Sequence, residues 1–191
     1  CIPIKDKPTA RKEICVSRSF AYPIDSPEEL DQAISKYILI ASAKLRKYNQ
    51  LSSSITVFTR TNIHSKDFFK SEATVTLDMP SSDSMIFLKK SLELTKKIFQ
   101  PYKKLIKAGV ILHKLQSNQY KQRILFEKEN IQEECNLERL NNIIDNINER
   151  NKRDALSWGT STLERDWNPR RERLSYLKTT MIESIPTVFA N

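Results

Sequence analysis

The chain has 191 residues with only two glycines and three cysteines, and it carries a formal net charge of +9. Two glycines are too few for the glycine-rich loops that hold nucleotide phosphates, and three widely spaced cysteines indicate neither a disulfide framework nor a zinc site. No apolar run approaches the roughly 20 residues that span a bilayer, so we expect a cytoplasmic protein without a membrane partner.

The positive charge is concentrated in the first part of the chain. Residues 1–120 contain 20 Lys and Arg against 11 Asp and Glu, whereas residues 121–191 contain 12 of each kind. A basic domain followed by a neutral tail indicates a polyanion as the partner of the domain, most simply the backbone of a nucleic acid. Lysines that merely coat a solvated surface are the alternative.

The first predicted elements are a linker, a strand and a helix. CIPIKDKPTA is polar and has two prolines, so residues 1–12 read as an extended linker from a catalytic core that would precede Cys1. EICVSRSF (13–20) is a candidate strand. Ser26 followed by Pro27 predicts a helix start, and apolar residues then recur at spacings of three and four, at Leu30, Ile34, Tyr37, Ala41, Leu45 and Tyr48. We expect both tyrosines to pack in the core rather than to stack on bases.

The next elements complete a domain. SITVFTRT (54–61) and EATVTL (72–77) alternate as strands do, residues 81–99 form a second amphipathic helix, and Leu105–Leu115 returns as a strand. The order β-α-β-β-α-β predicts an α+β fold, in which two helices cover one face of a four-stranded sheet and leave the other face exposed.

The remainder of the chain reads as a tail. Residues 116–133 lack periodicity, Leu137, Leu140, Ile144 and Ile147 indicate a third helix that ends near Asn151, and the last forty residues, with both tryptophans, are irregular. We therefore divide the chain into the linker (1–12), a sheet domain (13–116), a loop (117–132) and a C-terminal helix and tail (133–191).

Five segments resemble a known family. EICVSRSF (13–20), FFKSEATVTL (68–77), KAGVIL (107–112) and QRILF (122–126) are similar to the C-terminal region of UmuC-type Y-family translesion polymerases, the catalytic subunits of bacterial DNA polymerase V. The tail adds seven residues at the family's spacing: Asn148, Trp167, Arg171, Leu174, Ser175, Thr179 and Thr180. It departs from the family where glycines or a proline are common, at Lys152, Asp154, Thr162 and Tyr176.

The resemblance implies a function in SOS mutagenesis and DNA repair. Residues 13–116 would be the little finger, which holds the duplex of template and primer, and the Mg²⁺-binding carboxylates would lie in a catalytic core outside this chain. No pair of acids here suggests two-metal geometry, so we expect neither a catalytic centre nor a cofactor in this chain. The processed UmuD dimer and RecA are further partners that the resemblance implies.

DNA contacts are predicted at three places in the sheet domain. Hydroxyls, cations and backbone amides of this kind bind phosphate oxygens without reading bases, which suits an enzyme that accepts any template. The predicted residues are Ser17, Arg18, Ser19, Thr59, Arg60, Thr61, Lys66, Lys70 and Ser71. For Arg18, alternation with Val16 and Phe20 leaves open an inward position.

QRILF (122–126) predicts a second binding function. A glutamine followed three and four residues later by Leu and Phe resembles the motif with which bacterial polymerases bind the β sliding clamp, whose cleft takes the two apolar side chains. We assign Gln122, Leu125 and Phe126 to clamp binding, with Arg123 and Ile124 as spacers. The alternative is that these apolar residues fold back on the domain.

Two other functions compete with this assignment. The chain could be a free-standing adaptor or regulator that binds nucleic acid without a polymerase, which an encoded palm domain with its carboxylates would refute. It could also be an RNA-binding sheet module, which exposed aromatic residues on adjacent central strands would favour.

Overall fold

The computed structural model describes residues 11–118, 131–151, 155–157 and 167–168, and for residues 131–135 the backbone alone. It confirms the predicted α+β fold and its order of elements. These are β1 (Ile14–Ile24), α1 (Pro27–Lys47), β2 (Gln50–Arg60), β3 (Lys70–Ser81), α2 (Ser84–Ile98), β4 (Leu105–Ser117) and α3 (Ile131–Arg150). None of the described helices is both long and apolar enough to cross a membrane.

The four strands form one sheet in the order β1-β4-β2-β3, with every neighbouring pair antiparallel. The strands that α1 connects, β1 and β2, therefore run in the same direction with β4 between them, and α2 connects β3 to β4 across β2 in the same way. Both helices cross one face of the sheet and pack on each other and on the strands. The other face carries no described helix.

The core lies between the helices and that sheet face. Alternate strand residues point into it, among them Val16, Ile55, Val57, Val110 and Leu112, all at most 3% exposed. The stripe of α1 supplies the opposite side with Leu30, Ile34, Tyr37, Ala41 and Leu45, each at most 1% exposed. The prediction was wrong for Tyr48, which follows the last turn of α1, is 45% exposed, and lies against the Arg11 guanidinium.

The two helices of the domain begin differently. Ser26 is the N-cap residue of α1, as predicted, but its hydroxyl donates to Glu28 Oε2 at 2.5 Å instead of accepting from a backbone amide. That hydrogen bond lowers the pKa of Glu28. In α2 the cap is made by a side chain, because Asp83 Oδ1 accepts from the Met85 amide at 3.1 Å.

The third helix is held against α1 by a charged contact. Arg46 donates through Nε and Nη2 to the two carboxylate oxygens of Asp145, at 2.6 and 2.8 Å, and its Nη1 donates to Ser82 O and Ser84 Oγ. A second pair joins Lys47 to Glu149 at 3.1 Å. The helix runs from Ile131 to Arg150, so it starts two residues before the predicted boundary.

Trp167 of the tail is inserted into the domain. Trp167 is 2% exposed and meets the rings of Phe20 and Tyr37 edge to face, at centroid distances of 6.1 and 6.0 Å. Its carbonyl accepts from the Ala21 amide of the edge strand β1 at 3.1 Å, and Lys36 donates to the neighbouring Asn168. This part of the tail therefore packs on α1 and on the free edge of β1.

Candidate nucleic-acid interface

The open face of the sheet has a row of cations at one end. Ser19 pairs with Lys107 across β1 and β4, Lys107 pairs with Arg60 across β4 and β2, and Arg60 pairs with Lys70 across β2 and β3. Paired residues of adjacent strands point to the same face, so four strands present one hydroxyl and three cations side by side. We call these four residues the basic row. Lys70 also contacts Glu72 Oε2 at 2.8 Å.

Beside the basic row, β4 carries no side chain on the open face. Gly109 pairs with Ser17 on one side and with Phe58 on the other. A Cβ at Gly109 would lie 2.4 Å from Ser17 Cβ and 2.7 Å from Phe58 Cζ, which means that the Phe58 ring lies across the glycine. The half-buried Phe58 is the aromatic residue that β2 and β4 place on this face, so the pair of adjacent aromatics expected of an RNA-binding sheet is not found on these central strands.

Further along, hydrogen bonds join polar side chains of β4, β2 and β3 to Glu13, which directly precedes β1. Glu13 Oε1 and Thr56 Oγ1 each lie 3.0 Å from a ring nitrogen of His113, and Thr56 Oγ1 lies 2.7 Å from Thr74 Oγ1. These hydrogen bonds fix the side chains in one arrangement. The open face thus has the basic row at one end, Phe58 paired with Glu72 beside it, and then the polar group around His113 and Glu13.

The predicted contact residues divide between the two faces. Ser17, Ser19, Arg60 and Lys70 lie on the open face. Arg18, Thr59 and Ser71 form a row on the helix side together with the buried Ala108.

Residues on the helix side do not face a ligand bound to the open face, which argues against the predicted DNA contact, most strongly for Thr59. Its side chain is fully buried and out of reach of a ligand. The guanidinium of Arg18 is exposed on that side and acts electrostatically on the nearby Tyr37, whose pKa burial raises well above its usual range. This is the inward alternative that alternation had left open for Arg18, although its donor reaches the Ser17 carbonyl and not an acid.

Two predicted residues lie in the loop between β2 and β3. The Thr61 hydroxyl accepts from the Phe69 amide at 2.8 Å and thereby closes this loop, while Lys66 is exposed at its tip. The loop is next to the basic row, because it leaves β2 at Arg60 and enters β3 at Lys70.

Sequence reasoning missed Lys107, the residue that joins Arg60 to Ser19. It is the first residue of KAGVIL, and counting back by two from Gly109 would have placed it on the open face. The predicted clamp-binding residues Gln122, Leu125 and Phe126 lie outside the described residues.

Within the described ranges, no three His, Cys, Asp or Glu side chains are grouped so that they could hold a metal ion.

Comparison with known proteins gives two family matches. Residues 11–125 match the model of the impB/mucB/samB family C-terminal domain, which is more than half of the chain. Residues 138–188 match a domain of unknown function, DUF4113.

Individual relatives are similar over nearly the whole chain. Protein ImpB of Salmonella typhimurium is 29% identical over 97% of this chain and 44% of its own length, and protein UmuC of the same species is 28% identical over 94% and 43%. The chain therefore spans less than half of the length of these relatives. A solved complex of the β-clamp processivity factor and the little finger domain of PolIV matches 60% of this chain and 99% of its own, at 14% identity and a TM-score of 0.42.

Proposed function

Because the chain belongs to the impB/mucB/samB family, we propose that its sheet domain holds the template-primer duplex of a translesion DNA polymerase. The family match confirms the resemblance to UmuC-type C-terminal regions. The domain is then a little finger, and the polymerase chemistry, with its Mg²⁺ ions, belongs to a part of the parent protein outside this chain. The parent would act on damaged DNA in the cytoplasm during the SOS response.

The observation that carries the proposal is the basic row. Three cations lie side by side across β4, β2 and β3, on a face without a described helix. Cations and hydroxyls in a line bind successive phosphates and carry no sequence information. Binding of this kind tolerates any template, as lesion bypass requires.

Duplex binding by the 191-residue chain tests the proposal. We expect weak binding with little sequence preference, and with an affinity that falls steeply as salt increases. Replacing Arg60 and Lys107 together by alanine should lower the slope of log affinity against log salt by about 2, since each lost phosphate contact removes about 1. Labelled duplexes in a salt titration by fluorescence anisotropy give this slope.

A matched control removes the same charge from the other side of the domain. Lys44 and Lys47 lie in the last turn of α1, and the Lys47–Glu149 pair is too exposed to contribute much stability. Lys44→Ala with Lys47→Ala should leave the salt slope within about 0.5 of the wild type. Equal slopes for the two double variants, or salt-insensitive binding by the wild type, would refute a specific role of the basic row.

We further propose that Gln122, Leu125 and Phe126 recruit the β sliding clamp. In the sequence the motif lies between the end of β4 at Ser117 and the start of α3 at Ile131, so it connects the DNA-holding domain to the tail. A glutamine and two large apolar residues suit a cleft that buries the apolar pair. The tail after it would meet the processed UmuD dimer and RecA, as the family resemblance implies.

Clamp binding is tested with the same chain. Leu125→Ala with Phe126→Ala should weaken binding to the purified clamp by about thirtyfold or more, because two anchors of about 1 kcal/mol or more each are lost. The control is Arg123→Ala with Ile124→Ala, which alters only the spacers and should retain the affinity. Surface plasmon resonance measures both, and equal affinities for the two variants would disprove recruitment through this motif.

A further inference from the structure

An exposed tyrosine stands in the turn between α2 and β4. The Lys103 amide donates to the Gln100 carbonyl, Pro101 takes the second position of the turn, and Tyr102 takes the third with φ +72°. A proline at the second position and a positive φ at the third are the marks of a type II turn. The Tyr102 side chain is 96% exposed, so packing in the domain does not account for it.

Tyrosine is an unfavourable residue at this position. The third residue of a type II turn is usually Gly or Asn, since a side chain in the left-handed region meets its own backbone and costs about 1 kcal/mol. A large aromatic ring held in water adds no stability to the folded chain. A residue that is both strained and exposed is a candidate for a functional site.

Lysines surround the tyrosine along the chain. Residues 84–104 contain six lysines and one acid, Glu93, which is paired with Lys90 at 3.2 Å. Lys96 and Lys97 are in the last turn of α2, and Lys103 and Lys104 follow Tyr102. These four make no ion pair with any residue that the structure describes, and three of them are exposed, whereas Lys103 is half-buried with Nζ 6.0 Å from the centre of the Phe69 ring.

The turn is at the same end of the sheet as the basic row. Leu105 begins β4 directly after it, and Lys107 pairs with Arg60 two residues later. The Lys103–Phe69 contact also brings the turn against the loop between β2 and β3, which carries Lys66 at its tip. Positive charge therefore continues from the open face of the sheet, around this end, to the last turn of α2.

We propose that Tyr102, with Lys96, Lys97 and Lys104, is a binding site for single-stranded DNA. An exposed ring among cations is the arrangement that binds single strands, because the ring stacks on a base while the cations hold the phosphates. This site extends the proposed function: a strand that leaves the duplex at the basic row would pass onto Tyr102. The Tyr102 ring would accept any base, since every base has a π face.

The test uses the whole chain and a fluorescein-labelled oligothymidylate. Tyr102→Asn removes the ring and keeps a residue that tolerates positive φ, so its thermal stability should equal or exceed that of the wild type. Its affinity for the oligonucleotide should fall about fivefold or more, the loss expected for one stacked base. Tyr102→Trp should retain or improve the affinity.

Two controls separate this site from the duplex site and from charge alone. Tyr48 is also exposed but lies at the opposite end of β2, and Tyr48→Asn should leave oligothymidylate binding unchanged. Tyr102→Asn should leave the salt slope of duplex binding unchanged, whereas the Arg60 and Lys107 double variant lowers it.

Three results would overturn the stacking site without touching the duplex proposal. The first is wild-type affinity of Tyr102→Asn for the oligonucleotide. The second is an equal loss in Tyr48→Asn. The third is displacement of the oligonucleotide by polyglutamate as effectively as by unlabelled oligothymidylate, which would indicate a site for acidic polymers in general.

Discussion

The open face depends on the absence of a side chain at Gly109, and Gly109→Ala tests that dependence. The added methyl would lie 2.4 Å from Ser17 Cβ, 2.7 Å from Phe58 Cζ and 2.8 Å from Phe58 Cε1. All three distances are far below an ordinary van der Waals contact. The Phe58 ring can turn away at its far end, but Ser17 Cβ is fixed to the backbone of β1, the strand hydrogen-bonded to β4 at this residue.

The variant must therefore move β1 away from β4 or distort both strands. Overpacking of this kind costs about 1–3 kcal/mol, and we expect the upper half of that range because two neighbours clash at once. Urea denaturation of the whole chain, followed by circular dichroism, measures the loss of unfolding free energy. Duplex binding should weaken as well, since the displaced Phe58 ring would roughen the face beside the basic row.

A second substitution shows whether the clash is the cause. Ser17→Gly removes the atom at 2.4 Å, so Gly109→Ala in that background should recover about 1 kcal/mol or more relative to the sum of the two single variants. Ser19→Gly, on the same strand but opposite Lys107, should recover nothing. Stability of Gly109→Ala within about 0.5 kcal/mol of the wild type, or equal rescue by both serine variants, would refute the close approach.

Two further predictions concern the helix side of the domain. Arg46→Ala and Asp145→Ala should each lower the unfolding free energy by about 1.5–3 kcal/mol, because charge-assisted hydrogen bonds are lost at side chains that are 12% and 26% exposed. Urea denaturation measures both losses. If the loss in the double variant equals the sum of the two single losses, the two residues do not interact directly. Tyr37→Phe should be neutral or stabilising by about 1 kcal/mol at neutral pH, since the buried hydroxyl has no partner among the described residues. Burial raises the pKa of Tyr37 in the folded chain above the unfolded value of 10.0. Above about pH 10 the Tyr37 hydroxyl therefore ionises in the unfolded chain but not in the folded one, and wild-type stability should fall. Thermal melts from neutral to alkaline pH should show a smaller fall in Tyr37→Phe.

The periodicity of the sequence was enough to predict the elements and the core. The spacing of apolar residues shows which side of each element is apolar, as in α1 from Leu30 to Leu45 and in EATVTL. Burial of apolar surface is the main force that packs these elements together. Strand ends were less predictable. β1 continues to Ile24 through Pro23. An edge strand tolerates a proline because the missing N–H lies on the outer side, where no neighbouring strand needs a donor.

The site was harder to predict because it depends on strand order and register. Lys107 and Arg60 are 47 positions apart in the sequence, and only the order β1-β4-β2-β3 makes them neighbours. The same register turned Thr59 inward, beside Ala108. Pro101 indicates a turn, but nothing local shows that Tyr102, the residue after it, takes a positive φ.

Trp167 illustrates a different limit of sequence reasoning. It lies in a stretch without periodicity, and the rings that receive it belong to residues about 130 and 150 positions earlier. One inserted ring is enough to attach that point of the tail, since burial of a large aromatic side chain contributes several kcal/mol. The tail pattern included Trp167 but did not indicate that the side chain is buried. Only its packing against Phe20 and Tyr37 shows this.

The tail contacts that the structure describes lie away from the proposed DNA-binding face. α3 is attached to α1 through Arg46, and Trp167 packs on α1 and the edge of β1, so these parts of the tail lie beside the helices and leave the open face accessible. β4 begins beside the basic row and ends at Ser117, at the opposite end of the sheet, where the segment with the clamp motif departs. A clamp bound through the proposed motif would therefore attach to the chain beyond Ser117, whereas DNA on the proposed basic row would lie at the other end of β4.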